Sequence, residues 1–312
     1  MGIGETPPDF GQRPVVVTGG AGFIGAAVCK RAATLGIPAV ALVRSSEISL
    51  MSRDIEYAVV DWADVAGLSG ALRSLNPSSI VHCAGAAARG GESPTALYEA
   101  NVCLVARLLE SAVIACPNAS VVLMSSAAAY GPESPVPTRE SAPLDPRTDY
   151  GTSKAMAEMI GRSFASNRGL RACIARPFNV LGPGEPSGSV VSAISEQLLT
   201  APVGCTAQVV LREVVSVRDF IDIDDAAGAL LTIGERGEAG EAYNICSGVG
   251  VSIAELVEQA AHAWGRNAEV VVREPSLIGN VSLGSNDKLK ALGWEPRHTL
   301  ADTLARMAAA QS

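Results

Sequence analysis

The stretch Val15-Val16-Val17-Thr18 runs directly into Gly19-Gly20-Ala21-Gly22-Phe23-Ile24-Gly25, and an apolar helical pattern follows at once. A chain that passes from strand to helix in so few residues has few options. Glycine permits the tight turn, and its missing side chain lets the helix pack closely on the strand it has just left. Backbone N–H groups at the head of that helix then face a phosphate-sized site. Gly20-x-Gly22-x-x-Gly25 fits the dinucleotide-binding fingerprint, and Gly19-x-x-Gly22-x-x-Gly25 fits a second version of it. Strand, turn and helix are all in place. The expectation is therefore a pyrophosphate-binding turn rather than glycine used for geometry alone.

The same alternation continues along the chain. Strands are expected at Pro14–Thr18, Pro38–Val43, Ile55–Val60, Ser79–Cys83, Ser120–Met124 and Leu170–Ala175. Helices are expected at Gly22–Leu35, from about Asp64 to Leu75, at Thr95–Ala115 and at Tyr150–Asn167. Strands this apolar are buried on both faces, and strand–helix alternation implies right-handed crossovers. The fold class is α/β, a Rossmann-type doubly wound parallel sheet. The rhythm breaks after Arg176-Pro177-Phe178-Asn179, where glycine and proline crowd Gly182–Gly188. Helices at Val190–Thr200, Asp222–Ile233, Ser252–Trp264 and Leu300–Ala310 then mix with short strands. The expected division is a flexible polar tail over 1–13 and a dinucleotide-binding domain over 14–176, joined by parts of 214–245. Residues 177–213 and 246–312 would form a smaller mixed α/β substrate-binding domain.

Apolar residues make up 48% of the 312 and charged residues 18%, which describes a globular chain and excludes a disordered one. No uninterrupted apolar run reaches membrane-spanning length, and residues 1–13 lack the apolar centre of a signal peptide. The net charge of −8 leaves no footprint for nucleic acid or an anionic membrane. An anionic small molecule would need a few placed arginines. Cys29, Cys83, Cys103, Cys116, Cys173, Cys205 and Cys246 are scattered and form no Cys-x-x-Cys. Buried reduced thiols and a cytoplasmic setting are expected. Three histidines without paired spacing argue against a metal site.

Tyr150 and Lys154 stand one helical turn apart, with Ser125-Ser126 upstream at the end of the fifth strand. Tyrosine titrates near pH 10 and is a poor proton carrier at neutrality unless a neighbouring ammonium stabilises its phenolate. A serine hydroxyl beside it would align a substrate oxygen for proton transfer. Behind a dinucleotide turn, Ser126, Tyr150 and Lys154 together predict oxidation or reduction of a carbon–oxygen bond. Ser125 is the lesser partner, a strand cap. The second strand ends in Leu42-Val43-Arg44-Ser45-Ser46 with no carboxylate until Glu47. Arginine there matches a ribose 2′-phosphate, so NADP(H) is favoured and NAD(H) is the alternative. Asp61, in Val60-Asp61-Trp62, could accept a hydrogen bond from adenine. His82 reads as a satisfied core histidine and Tyr130 as a pocket wall.

Six segments occur in the order found in extended short-chain dehydrogenase/reductases: Thr18–Gly25, His82-Cys83-Ala84-Gly85, Asn101-Val102-Cys103-Leu104-Val105, Ser125–Gly131, Tyr150–Lys154 and Arg176–Asn179. From Pro14 onward nearly the whole chain resembles that family. Its second half is similar to the nucleotide-sugar branch, through Gly182-Pro183-Gly184, Val217-Arg218-Asp219-Phe220-Ile221-Asp222, Tyr243-Asn244-Ile245-Cys246-Ser247-Gly248 and Lys288–Pro296. Within the branch it most resembles reductases of GDP-4-keto-6-deoxy-mannose and of dTDP-4-keto-6-deoxyhexoses. The resemblance implies that Gly19, Gly22, Phe23, Ile24, Arg44, Asp61, Trp62, Ala84 and Asn101 line the cofactor. It places Tyr150 and Lys154 at the ribose and nicotinamide, with Pro177 and Val180 bordering the ring. It further implies that Asn179, Arg218 and Arg273 hold a nucleotide-diphosphate sugar, alongside Ser126. Arginine suits a diphosphate on an acidic protein. Two segments depart from the family pattern, Arg273-Glu274-Pro275-Ser276-Leu277 and Ser285-Asn286-Asp287-Lys288.

The leading expectation is an NADPH-dependent 4-ketoreductase of a nucleotide-linked 4-keto-6-deoxyhexose. A nucleotide-sugar 4-epimerase with tightly bound NAD is the first rival, and a catalytically silent dinucleotide-binding regulator is the second. Apolar residues also spread widely around two helices: Val102, Val105, Leu108, Leu109, Ala112 and Val113 on one, Met156, Met159, Ile160 and Phe164 on the other. The resemblance implies that these helices meet in a two-fold homodimer.

Overall fold

The computed structural model describes residues 8–51, 54–86, 93–202, 204–273 and 279–311. Its strands are β1 (Val15–Thr18), β2 (Ala39–Val43), β3 (Glu56–Val59), β4 (Ser79–His82), β5 (Ser120–Met124), β6 (Arg171–Pro177), β7 (Asn179–Leu181), β8 (Thr206–Leu211), β9 (Val217–Asp222), β10 (Ala242–Ile245), β11 (Gly250–Ser252), β12 (Asn267–Val272) and β13 (Val281–Ser282). Its helices are α1 (Phe23–Thr34), α2 (Val65–Leu75), α3 (Pro94–Tyr98), α4 (Leu104–Ala115), α5 (Asp149–Arg168), α6 (Val190–Thr200), α7 (Ile223–Arg236), α8 (Ile253–Ala263), α9 (Asp287–Lys290) and α10 (Leu300–Ala310).

Seven strands form one parallel sheet in the order β10-β6-β5-β4-β1-β2-β3. Alternate residues along each inner strand feed two separate cores. Val15 and Val17 pack under α1 and α7, whereas Val16, Ile80, Val121 and Leu123 pack under α2, α4 and α5. This is a Rossmann-type doubly wound sheet. Its strand order reverses between β1 and β4, where Thr18 lies level with His82. Ligands of such sheets bind in the crevice at that reversal.

Helix ends follow from sequence. The Thr148 hydroxyl accepts from Gly151 N at the head of α5, and Gly169 closes its tail with φ +67°. Asp222 caps α7, and Ser252 with Glu255 forms a capping box on α8. After β6 the chain enters a second layer set. There β11, β13 and β7 all pair with β9, while β8 pairs with β12. Leu181, Ile194, Leu198, Val209, Leu256 and Leu304 form its core.

Two local expectations change. The Thr95–Ala115 stretch is not one α-helix, because a π-turn over Glu99–Cys103 separates α3 from α4. The extra residue per turn swings Asn101 inward, where it is buried. Residues 8–13, expected in the tail, are tied down: Asp9 N donates to Glu235 Oε1 and Phe10 packs on the α1/α7 core. Residues 1–7 lie outside the described residues. Within 214–245, α7 and β10 belong to the large sheet unit and β9 to the smaller sheet.

Candidate active site

At the end of β1 the chain turns through Gly19 with φ +66°, and a Cβ there would come within 2.7 Å of the Ala84 backbone nitrogen. Only glycine fits that position. Gly22 then begins α1 with no side chain bonded to the helix's first N–H groups. An anion is the natural partner for those donors. The turn borders two adjoining cavities. The larger, about 1040 Å³, is lined by Gly19, Gly22, Arg44, Asp61, Trp62 and Ala84. The other, about 430 Å³, is lined by Gly19, Gly22, Phe23 and Ile24 on one side and by Ser126, Tyr150, Lys154, Pro177 and Val180 on the other.

Asn101 lines neither cavity. Its amide accepts from Ala86 N at 3.0 Å and donates to Ala86 O at 3.1 Å and to Ser153 Oγ at 3.0 Å. It braces the cavity wall from behind. Arg44 lines the larger cavity, but its guanidinium is not free. It donates to Glu47 Oε1 from Nε at 3.0 Å and from NH2 at 2.7 Å, and Glu47 Oε2 accepts from Arg44 N. Three residues of sequence separation concealed this pairing, because the 3₁₀ turn at Ser45–Leu50 folds Glu47 back over the strand end.

Ser126 leaves β5 and caps the short 3₁₀ turn Ala127–Ala129, its hydroxyl accepting from Ala128 N at 3.1 Å. It also hydrogen-bonds the Tyr150 side chain. Gly151 allows this approach, since any Cβ there would collide with the Ala128 carbonyl. Burial raises the Tyr150 phenol above its usual range, and the Ser126 bond works the other way. Lys154 sits one turn further along α5, its Nζ 5.7 Å from the Tyr150 ring centre and donating to Met124 O at 3.0 Å. Burial pulls its ammonium down to about 8.

Behind this group runs a buried polar chain. Ser125 Oγ donates to Glu158 Oε1 at 2.5 Å. Glu158 takes a two-pronged bond from Arg176, at 2.9 Å from Nε and 2.6 Å from NH2. Arg176 NH1 donates to Tyr130 Oη at 2.7 Å, and Tyr130 donates to Asn244 Oδ1. Ser125 is thus more than a strand cap, and Tyr130 belongs to this interior network. His82 is bonded through Nδ1 to Thr18 Oγ1 at 2.7 Å, but its buried Nε2 has no partner among the described residues. Burial depresses it to about 3, so the ring is neutral.

A third cavity of about 450 Å³ adjoins these and contains Asn179, Arg212 and Arg218. Asn179 Nδ2 donates to Asp219 O. Arg218 NH1 donates to two backbone carbonyls, those of Val217 and Asn280. Asp219 and Asp222, its neighbours in sequence, are engaged elsewhere: Asp219 with Ser247, Gly248 and Gly284, Asp222 with Thr303 and Arg306. Arg273 is not brought to this cavity. It is exposed at the end of β12, with its N–H bonded to Leu211 O. Residues 274–278 beyond it lie outside the described residues.

Sequence reasoning missed Glu185, which lines both the Tyr150 cavity and the Arg218 cavity. Burial pushes its carboxyl up to about 7. Nothing in a glycine- and proline-rich loop signals a half-buried acid with one oxygen out of solvent. The expectation of buried thiols holds for Cys29, Cys116, Cys173 and Cys246, but Cys83 and Cys103 are half-buried and Cys205 is exposed. Asp222, Asp224 and His298 lie close enough together to hold an ion, yet Arg306 already pairs with both aspartates. No helix among the described residues is long and apolar enough to cross a membrane.

The sheet order and the glycine turn at its reversal define a Rossmann-type dinucleotide-binding fold. Residues 15–246 match the NAD dependent epimerase/dehydratase family, and the chain belongs to it. It is 29% identical over 98% of both chains to a dTDP-6-deoxy-L-talose 4-dehydrogenase (NAD(P)(+)) of Kitasatospora kifunensis. It is also 29% identical to the GDP-6-deoxy-D-mannose reductase of Pseudomonas aeruginosa, over 73% of this chain and 78% of that one. A UDP-glucose 4-epimerase of Azospirillum brasilense is 30% identical, over 94% and 90%. Among solved structures, the UDP-glucose 4-epimerase of Thermotoga maritima with UDP-glucose superposes with a TM-score of 0.83 at 26% identity, covering 96% of this chain and 98% of that one. RMD of Pseudomonas aeruginosa complexed with NADPH gives 0.77 at 25%, covering 96% and 98%.

Proposed function

We propose that the chain reduces the C4 keto group of a nucleotide-linked 4-keto-6-deoxyhexose, a GDP- or dTDP-sugar, with NADPH. The observation that carries this reading is the Ser126–Tyr150–Lys154 group, which lines one cavity with the glycine turn, next to a cavity holding Asn179 and Arg218. Relatives that are 4-dehydrogenases of dTDP-6-deoxy-L-talose and of GDP-6-deoxy-D-talose support it. A bound nicotinamide dinucleotide supplies the hydride. Tyr150 gives its hydroxyl proton to the carbonyl oxygen, Ser126 donates a hydrogen bond to that oxygen, and Lys154 stabilises the phenolate left behind. The unit of residues 14–176 with α7 and β10 binds the dinucleotide, and the smaller sheet unit binds the sugar nucleotide. Arg218 meets the diphosphate, while Arg273 lies on an exposed strand end. The protein works as a cytoplasmic homodimer.

One observation favours a second reading. Glu47 occupies the guanidinium of Arg44, which weakens its claim on a 2′-phosphate and leaves room for NAD and a 4-epimerase. The two readings separate in one assay. Purified protein given GDP- or dTDP-4-keto-6-deoxyhexose should oxidise NADPH stoichiometrically with sugar reduced. Protein that carries tightly bound NAD and interconverts C4 epimers without consuming cofactor would replace the first reading with the second.

A further inference from the structure

Glu185 lies on the segment between β7 and α6, in a turn closed by its own N–H bond to the Gly182 carbonyl at 3.1 Å. It lines the cavity of about 430 Å³ that holds Ser126, Tyr150 and Lys154. It equally lines the cavity of about 450 Å³ that holds Asn179 and Arg218. Among the described charged residues around the site, Glu185 alone borders both. Ser189 hydrogen-bonds the carboxyl, but Oε2 is buried with no partner among the described residues. A buried oxygen left unbonded is costly unless something else completes it.

We infer that Glu185 is a substrate-binding residue whose Oε2 hydroxyl donates a hydrogen bond to an oxygen of the nucleotide-linked hexose, taking up a proton as that ligand binds. The inference depends on the proposed use of the Arg218 cavity for a nucleotide sugar. An ionised carboxylate can only accept hydrogen bonds, whereas a neutral one can donate. Beside a diphosphate, the charged form is disfavoured twice, by like charge and by the loss of water. The site already leans this way, since burial holds the carboxyl near 7 with only the Ser189 bond opposing it. Facing Glu185 from the rest of the two cavities are Cys83, Tyr150 and Lys154 on one side and Arg212, Glu213 and Arg218 on the other. Of these, Lys154 also titrates near neutrality, with a value of about 8, so the test must tell the two apart.

Titration calorimetry does so. GDP-mannose and dTDP-glucose are titrated into the protein at pH 7.5 in buffers of different ionisation enthalpy, and NADPH is titrated separately as a check on folding. The wild type should take up a large fraction of one proton with the nucleotide sugar. Glu185→Gln keeps a donor but cannot titrate; it should bind within a few-fold of the wild type and take up no proton. Glu185→Leu, which has no donor, should bind at least about tenfold more weakly, the usual worth of one buried hydrogen bond. Proton uptake that persists in Glu185→Gln would assign it to Lys154 and overturn the inference, as would wild-type affinity in Glu185→Leu. A wild type that binds NADPH but neither nucleotide sugar would refute the proposed substrate class together with this role.

Discussion

Removing Glu158 should damage this protein more than removing any exposed carboxylate. The Arg176 and Glu158 side chains are 2% and 1% exposed, and the pair is two-pronged. Glu158→Ala leaves a guanidinium buried without its counter-charge and strips the acceptor from Ser125 Oγ. Breaking one side of a buried pair costs about 3–5 kcal/mol. With an unfolding entropy of roughly 2.1 cal/mol/K per residue, a chain of this length should lose about 5–8 °C in Tm. Scanning calorimetry measures that shift directly.

The double variant Glu158→Leu/Arg176→Met is the sharper arm. Replacing both charges with apolar groups removes the stranded guanidinium, and such swaps are often neutral or stabilising. Tyr130 keeps its bond to Asn244, although the Glu140 carbonyl loses Arg176 as a donor. At least half of the lost Tm should therefore return. Equal losses in the single and double variants, or a Glu158→Ala protein within about 1 °C of the wild type, would refute the argument that the charge left behind is what destabilises. The network also has a functional side. It ties the end of β5, which carries Ser126, to the helix that carries Tyr150.

Lys154 is held near 8, below its unfolded value of about 10.4, so folding penalises its charged form and the unfolded chain binds more protons between those values. Relative to Lys154→Met, wild-type stability should rise with pH across that window, by up to about 1.4 kcal/mol per pH unit in urea unfolding, while kcat falls above pH 8 as the ammonium is lost. At the adenosine end, Glu47→Gln should release Arg44 and raise the NADPH-to-NADH ratio of kcat/KM roughly fivefold, the scale of an exposed charge pair, whereas Arg44→Asp should reverse the preference. Ratios that stay put in both variants would remove Arg44 from cofactor choice. Met159 and Met156 on α5 and Ile114 on α4 are exposed at 68%, 41% and 54%. Light scattering at micromolar concentration should report a dimer that Met159→Glu dissociates; a wild-type monomer would rule out the α4/α5 interface.

The large sheet was legible because its signals are local. Runs such as Val15–Thr18 and Ser120–Met124 announce buried strands, and the glycine turn needs no distant partner to be understood. The π-turn at Glu99–Cys103 was not legible, since a helix that gains one residue has the same composition as one that does not. The tie between Arg44 and Glu47 was hidden for a related reason: both residues were visible, but their geometry depends on a 3₁₀ turn. Glu158, Glu185 and Arg176 looked like ordinary charges on a helix, a loop and a strand. What distinguishes them is burial, which comes from elements far away in the chain. Arg218 went the other way. Its sequence neighbours offered two aspartates as structural partners, and the fold gave those to other groups.

Reductase and epimerase chemistry would differ little at Tyr150, which gives up one proton in a reductase and takes one and returns it in an epimerase. They differ in what happens to the dinucleotide between turnovers. A reductase must release its oxidised cofactor every cycle, while an epimerase must keep it long enough for the sugar to turn over and take the hydride back. The deciding contacts should therefore lie at the far end of the dinucleotide, and Arg44, Asp61 and Trp62, which line the larger cavity, are the residues proposed for it. The Arg44 side chain remains 64% exposed even while paired with Glu47. A charge pair that open to water is screened by solvent and its partners exchange readily, so it does not by itself choose between the two activities. Consumption of the cofactor, and not the proton-transfer group, is the measurement on which they should part.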